Sequence, residues 1–115
     1  LNLSSSITEL YLNRCDQLPP EEFAKLANLT NLEKLDASLT HINQLNYLST
    51  NIKELILDEC EDILPGQFAN LANFSKLEVL DIWGTQIALL SITLPKGLKQ
   101  LNIGNCKKLS PDEFK

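Results

Sequence analysis

Few side chains in this sequence could do covalent chemistry. Its 115 residues include one histidine, one tryptophan, three cysteines and no methionine. His41 lies close behind Asp36 and Ser38, so an acid, a hydroxyl and an imidazole meet within six residues. Alternate strand residues share a face, which would align such a trio. A hydrolytic triad also needs an oxyanion device and a strained nucleophile turn, and neither accompanies it. The carboxylate pairs Asp58/Glu59 and Glu61/Asp62 are neighbours in sequence, with nothing that sets two acids across a cleft. No loop of alternating oxygen ligands suggests calcium. Catalysis, a metal and a cofactor are therefore not expected, and a hydrolase is the weakest of the functions considered.

The cysteines point the same way. Cys15, Cys60 and Cys106 form no CxxC pair and no Cys/His cluster, so neither zinc nor a redox motif is supported. Their number is odd, and they recur at equivalent places in a repeat, which argues for reduced, buried thiols. Lys plus Arg total 10 and Asp plus Glu 15, for a net charge of −5. An acidic chain without a basic cluster does not suit nucleic acid or an anionic membrane surface. No apolar run is long enough to span a bilayer. The ordinary balance of 43% hydrophobic and 22% charged residues fits one folded domain over residues 1–115.

What positions these residues is a repeat. Ile7-Thr8-Glu9-Leu10-Tyr11-Leu12 aligns with Ile52-Lys53-Glu54-Leu55-Ile56-Leu57 at an offset of 45. Cys15, Pro20 and Phe23 align with Cys60, Pro65 and Phe68 at the same offset. A second family interleaves, with Leu32-Glu33-Lys34-Leu35-Asp36-Ala37 matching Leu77-Glu78-Val79-Leu80-Asp81-Ile82. Five units begin near residues 7, 32, 52, 77 and 98, alternating between about 25 and about 20 residues. Each opens as L-x-x-L-x-L and continues to Cys15, Thr40, Cys60, Thr85 or Cys106, then to Leu18, Ile42, Ile63, Ile87 or Leu109. In the L-x-L stretch alternate residues face one way, as in a short strand. One unit cannot bury that face alone, so the units should stack into a parallel sheet on a leucine core.

This pattern resembles the leucine-rich repeat superfamily, L-x-x-L-x-L-x-x-N/C/T-x-L, over nearly the whole chain. The resemblance implies an α/β fold: a right-handed solenoid with a parallel β-sheet on its concave face. Short helices would alternate with 3₁₀ or extended segments on the convex face. It also implies a Cys15/Thr40/Cys60/Thr85/Cys106 ladder where the chain turns off each strand. Leu94-Pro95-Lys96-Gly97-Leu98-Lys99-Gln100-Leu101 resembles the L-P-x-x-L-x-x-L opening of bacterial repeats, secreted effectors included.

The long units carry Pro20-Glu21-Glu22-Phe23, Pro65-Gly66-Gln67-Phe68 and Pro111-Asp112-Glu113-Phe114. Proline suits a first helical position and carboxylates suit a first turn, so these units should return through a short helix. Ser110 and Glu113 have capping-box spacing. Phe23/Leu26 and Phe68/Leu71 are i,i+3 pairs able to face the core. Short units leave room only for a 3₁₀ or extended crossing.

Function should then sit on the strand residues between the core leucines, which line the concave face in the family. Counting each first core residue as position one, positions three, five, seven and eight point outward. They comprise Glu9, Tyr11, Asn13, Arg14; Lys34, Asp36, Ser38, Leu39; Glu54, Ile56, Asp58, Glu59; Val79, Asp81, Trp83, Gly84; and Gln100, Asn102, Gly104, Asn105. Six are acidic and two basic, which favours a basic protein partner. Trp83, Tyr11, Ile56 and Val79 are aromatic or apolar without the core requiring it, and tryptophan is a frequent interface anchor. Gly84 beside Trp83 should leave space next to its ring.

The expected role is thus a protein–protein interaction module, with Tyr11, Asp36, Ile56, Asp58, Asp81 and Trp83 as the binding residues. Two alternatives are the substrate-recognition segment of a bacterial effector or ubiquitin-ligase-type protein, and a structural spacer or self-associating array. Both ends fall inside a unit and neither carries a polar cap. That suggests a segment of a longer protein, or ends that pack on another copy. The free cysteines and the lack of a basic, apolar leader favour a cytosolic or host-delivered chain. Asn2, Asn28 and Asn73 open glycosylation sequons, and the repeat itself accounts for the latter two.

Overall fold

The structure is a computed structural model and describes residues 3–87 and 93–106. Five three-residue strands form one sheet: β1 (Glu9–Tyr11), β2 (Lys34–Asp36), β3 (Glu54–Ile56), β4 (Val79–Asp81) and β5 (Gln100–Asn102). They lie in chain order and every neighbouring pair is parallel. The middle residues Leu10, Leu35, Leu55, Leu80 and Leu101 stand opposite one another across the sheet. Leu35, Leu55 and Leu80 are buried, while Leu101 in the edge strand is exposed.

Backbone pairing outruns the strands. Leu12, Ala37, Leu57 and Ile82 donate to the carbonyls of Asp36, Ile56, Asp81 and Asn102 in the next unit. Arg14, Leu39, Glu59 and Gly84 do the same to Ser38, Asp58, Trp83 and Gly104. This second ladder needs a reversed backbone at position eight. Arg14, Leu39, Glu59, Gly84 and Asn105 all lie in the left-handed region, with φ between 55° and 73°. Gly84 adopts it freely, whereas Leu39 or Glu59 there costs about 1–2 kcal/mol, which the ladder bonds offset.

The chain returns through 3₁₀ helices η1 (Pro20–Asn28), η2 (Leu45–Tyr47) and η3 (Pro65–Asn73). The expected short helix of the long units is a 3₁₀ helix in the first and third, the two whose returns are described. The cause is visible in Phe23, Leu26, Leu29 and Phe68, Leu71, Phe74, all buried and all three residues apart. A 3₁₀ helix has three residues per turn, so this spacing stacks on one face, where an α-helix would rotate it away. The short second unit crosses through η2 and buries Leu45, as anticipated. Gln67 of η3 accepts the Leu45 amide at 3.2 Å and so ties neighbouring returns together. The leucine and isoleucine core lies between the sheet and these helices, with Ile42, Ile63 and Ile87 closing it. The expected return of the fifth unit, Leu109 with Ser110, Pro111, Glu113 and Phe114, lies outside the described residues, as does the Asn2 sequon.

Candidate functional site

Strand register fixes which side chains meet. Tyr11, Asp36, Ile56, Asp81 and Asn102 stand in one row across all five strands. Neighbouring strands lie about 4.8 Å apart, so these side chains are adjacent. Asp58 and Trp83 follow two residues after Ile56 and Asp81. The six anticipated residues therefore share the face of the sheet away from the leucine core. Tyr11 is 53% exposed and Trp83 36%, while the other four are partly buried.

The two ends of this face differ electrically. At the β1 end charges are matched. The Tyr11 hydroxyl donates to Glu9 Oε1 at 2.9 Å, Lys34 Nζ stands 5.4 Å from the Tyr11 ring centre, and Lys34 pairs with Glu54 at 3.4 Å. Its contact with Tyr11 first, then the hydrogen bond and charge of Glu54, raise the Lys34 ammonium above its usual range. At the β4 end there is no such balance. Among the described residues no ion pair involves Asp36, Asp58 or Asp81.

The acidic side chains there are held by the backbone. Asp36 Oδ1 accepts the Ser38 amide at 3.1 Å, Asp81 Oδ1 accepts the Trp83 amide at 3.4 Å, and Asn102 Oδ1 accepts the Gly104 amide at 3.1 Å. In each case a position-five side chain closes an Asx-turn onto position seven. Ile56 cannot do this in the third unit. There the Ser38 hydroxyl accepts the Asp58 amide instead, at 3.2 Å. That bond explains why Ser38, expected to point outward, is only 8% exposed.

Asp58 Oδ1 also approaches the Trp83 amide, at 3.3 Å, so two carboxylates compete for one N–H. Burial pushes the Asp58 carboxyl up to about 7, and the hydrogen bond and charge of Asp81 add to it. The Trp83 amide opposes that rise, and the Asp36 charge adds a little. A carboxyl group flanked by carboxylates loses its proton reluctantly.

Trp83 is seated differently from the expectation. Gly84 is spent on the left-handed turn, and a β-carbon there would meet Glu59 Cγ at 3.0 Å, not the indole. The residue against the ring is Gly104 of the next unit. A β-carbon at 104 would stand 2.8 Å from Trp83 Cδ1 and 2.9 Å from Nε1. Gly104 has no positive φ, so space alone calls for glycine.

The Cys/Thr ladder lies just behind this face. The Thr40 hydroxyl donates to Ala37 O at 2.7 Å, and the Cys60 thiol donates to the same carbonyl at 3.0 Å. Thr85 and Cys106 repeat this on Ile82 O, at 2.8 and 3.3 Å. Threonine thus closes its own turn, while cysteine reaches back one unit. Cys60 and Cys106 are buried, Cys15 is half-buried, and all three are free. Burial raises the Cys60 thiol to about 11.

His41 does not join Asp36 and Ser38. Its Nδ1 lies 2.9 Å from Asp62 Oδ2, beside a shallow hollow of about 260 Å³ lined also by Leu39, Thr40, Glu59 and Glu61. Ser38 and Asp36 are engaged with the backbone, so no triad forms. Among the described residues no three His, Cys, Asp or Glu side chains are placed to hold a metal ion, and no helix is long and apolar enough to cross a membrane.

The fold is thus an all-parallel five-stranded sheet backed by short helices, with chain-order strands in equal register. Comparison with protein-family models, with curated proteins and with solved structures finds no match to this chain.

Proposed function

We propose that this chain is a leucine-rich repeat solenoid that binds a protein partner on the solvent face of its sheet. In this proposal the solenoid is right-handed, the sheet lines its concave face, and the 3₁₀ helices form its convex wall. Five strands in one register, with the core leucines of the second, third and fourth units buried on the same side, support the architecture. Recognition makes and breaks no bond. The observation that carries the binding role is the β4 end of the face. Trp83 is exposed beside Asp58 and Asp81, an acidic pair with no ion-pair partner among the described residues. A basic partner supplies the missing charge and gains a large aromatic anchor.

Quantitative recovery of partners from lysate tests this, comparing wild type with the folded double variant Asp58→Ala/Trp83→Ala. A protein retained by the former and lost from the latter supports the face. Equal recovery places the function elsewhere. End-to-end association of copies is a second proposal, favoured by the exposed Leu101 on edge strand β5. It predicts a concentration-dependent mass that Leu101→Lys abolishes.

A further inference from the structure

We propose that the Gly104-seated indole of Trp83 is a platform for an arginine side chain of the partner, whose guanidinium lies on the ring and reaches Asp58 and Asp81. The inference rests on the binding role proposed above and specifies its central contact.

Three observations carry it. First, the ring is positioned by the protein. Its Cδ1 and Nε1 edge rests where Gly104 lacks a side chain, so the indole is held close to the sheet while 36% of the residue stays open. A pre-set aromatic surface loses little freedom on binding. Second, the ring is anchored to the acids through its own backbone. The Trp83 amide is shared by Asp58 Oδ1 at 3.3 Å and Asp81 Oδ1 at 3.4 Å. The shared N–H occupies one oxygen of each acid, and a carboxylate offers about four acceptor sites, so acceptor capacity remains for donors from outside. Third, the same face already shows a cation over an aromatic ring where one is available. Lys34 sits 5.4 Å from the Tyr11 ring centre and pairs with Glu54. At Trp83 the ring and the acids are present, and among the described residues no cation stands over the ring.

A guanidinium suits this place better than an ammonium. It is planar, stacks on an indole, and carries several N–H donors in a fixed fork for two neighbouring carboxylates.

The test is titration of the intact chain with a capped hexa-arginine peptide and, separately, with hexa-lysine. The chain has a single tryptophan, so its fluorescence reports this ring alone, and amide chemical shifts map the rest of the face. The expected result is a saturable change in Trp83 emission, with shifts centred on Asp58, Asp81, Trp83 and Gly104. Hexa-lysine should bind roughly fivefold more weakly, as should Gly104→Ala with the arginine peptide and, read from the Asp58 and Asp81 amide shifts, Trp83→Leu. Trp83→Phe, which keeps an aromatic face, should recover part of the loss if Trp83→Leu proves less well folded. Equal binding of both peptides, or shifts confined to Tyr11, Lys34 and Glu54, overturns the platform. The lysate comparison judges the binding role separately. A partner lost from Asp58→Ala/Trp83→Ala, together with no arginine preference, ends this inference and keeps the role.

Discussion

The indole of Trp83 occupies the space that a side chain at Gly104 would need, 2.8 Å from Cδ1 to the missing β-carbon. Two residues in different units thereby determine each other's type. Gly104→Ala forces the ring off the sheet, because a contact this short has no room to relax on the backbone side. We expect a red shift of the single-tryptophan emission with the parallel sheet retained by circular dichroism. Unchanged emission would show that the ring does not use this seat.

Asp58 makes stability depend on pH in an unusual direction for a carboxylate. Its carboxyl lies near 7 in the fold, against an ordinary value of 3.8. The folded chain holds that proton more tightly than the unfolded chain, so protonation stabilises it. This contribution grows as pH falls through about 7, and is complete below the ordinary value of 3.8. Asp58→Asn removes both the titration and the repulsion from Asp81. Its melting midpoint should exceed that of wild type at pH 8, and the gap should narrow by pH 5. A gap independent of pH would contradict the crowded carboxyl pair.

Cys60 is buried with its proton held by Ala37 O, and its thiol is pushed up to about 11. Thiolate is the reactive form, so labelling should be slow. Mass spectrometry after brief exposure to a thiol reagent at pH 8 should find Cys15 modified first and Cys60 last. Rapid labelling of native Cys60 would refute the ladder.

Leu55 is fully buried at the centre of the middle strand. Leu55→Ala leaves a cavity that neighbouring units cannot close, at a cost of about 2–5 kcal/mol. Urea denaturation should show it as a lower midpoint with an unchanged slope. An unaltered midpoint would reject the core register.

Much of this arrangement could be read from residue spacing. Leu35, Leu55 and Leu80 recur in phase because one buried face forces them to, and that phase also sets the row of Tyr11, Asp36, Ile56 and Asp81. Other features arise between units, where sequence neighbours mislead. Gly84 is next to Trp83 in the chain, yet register places Gly104 against the ring. Ser38 has an outward position but turns to Asp58, because Ile56 cannot accept that amide. The left-handed turn at position eight had a faint signal in Gly84 and Asn105, residues that tolerate positive φ; Arg14, Leu39 and Glu59 obscured it. The 3₁₀ returns had a clearer one, the strict three-residue spacing of Phe23, Leu26 and Leu29. Asp36 and Asp81 read as free binding acids, and the Asx-turns show that each also holds the backbone behind the face.

The most direct test of the binding face is partner recovery by two folded variants altered on opposite sides. One carries Trp83→Ala on the sheet face, and the other Glu21→Ala/Lys25→Ala on helix η1. Matched melting curves should first establish that both are intact. A partner captured by wild type is expected to be lost from Trp83→Ala and retained in full by the η1 variant. Loss from the η1 variant with full retention by Trp83→Ala would contradict it.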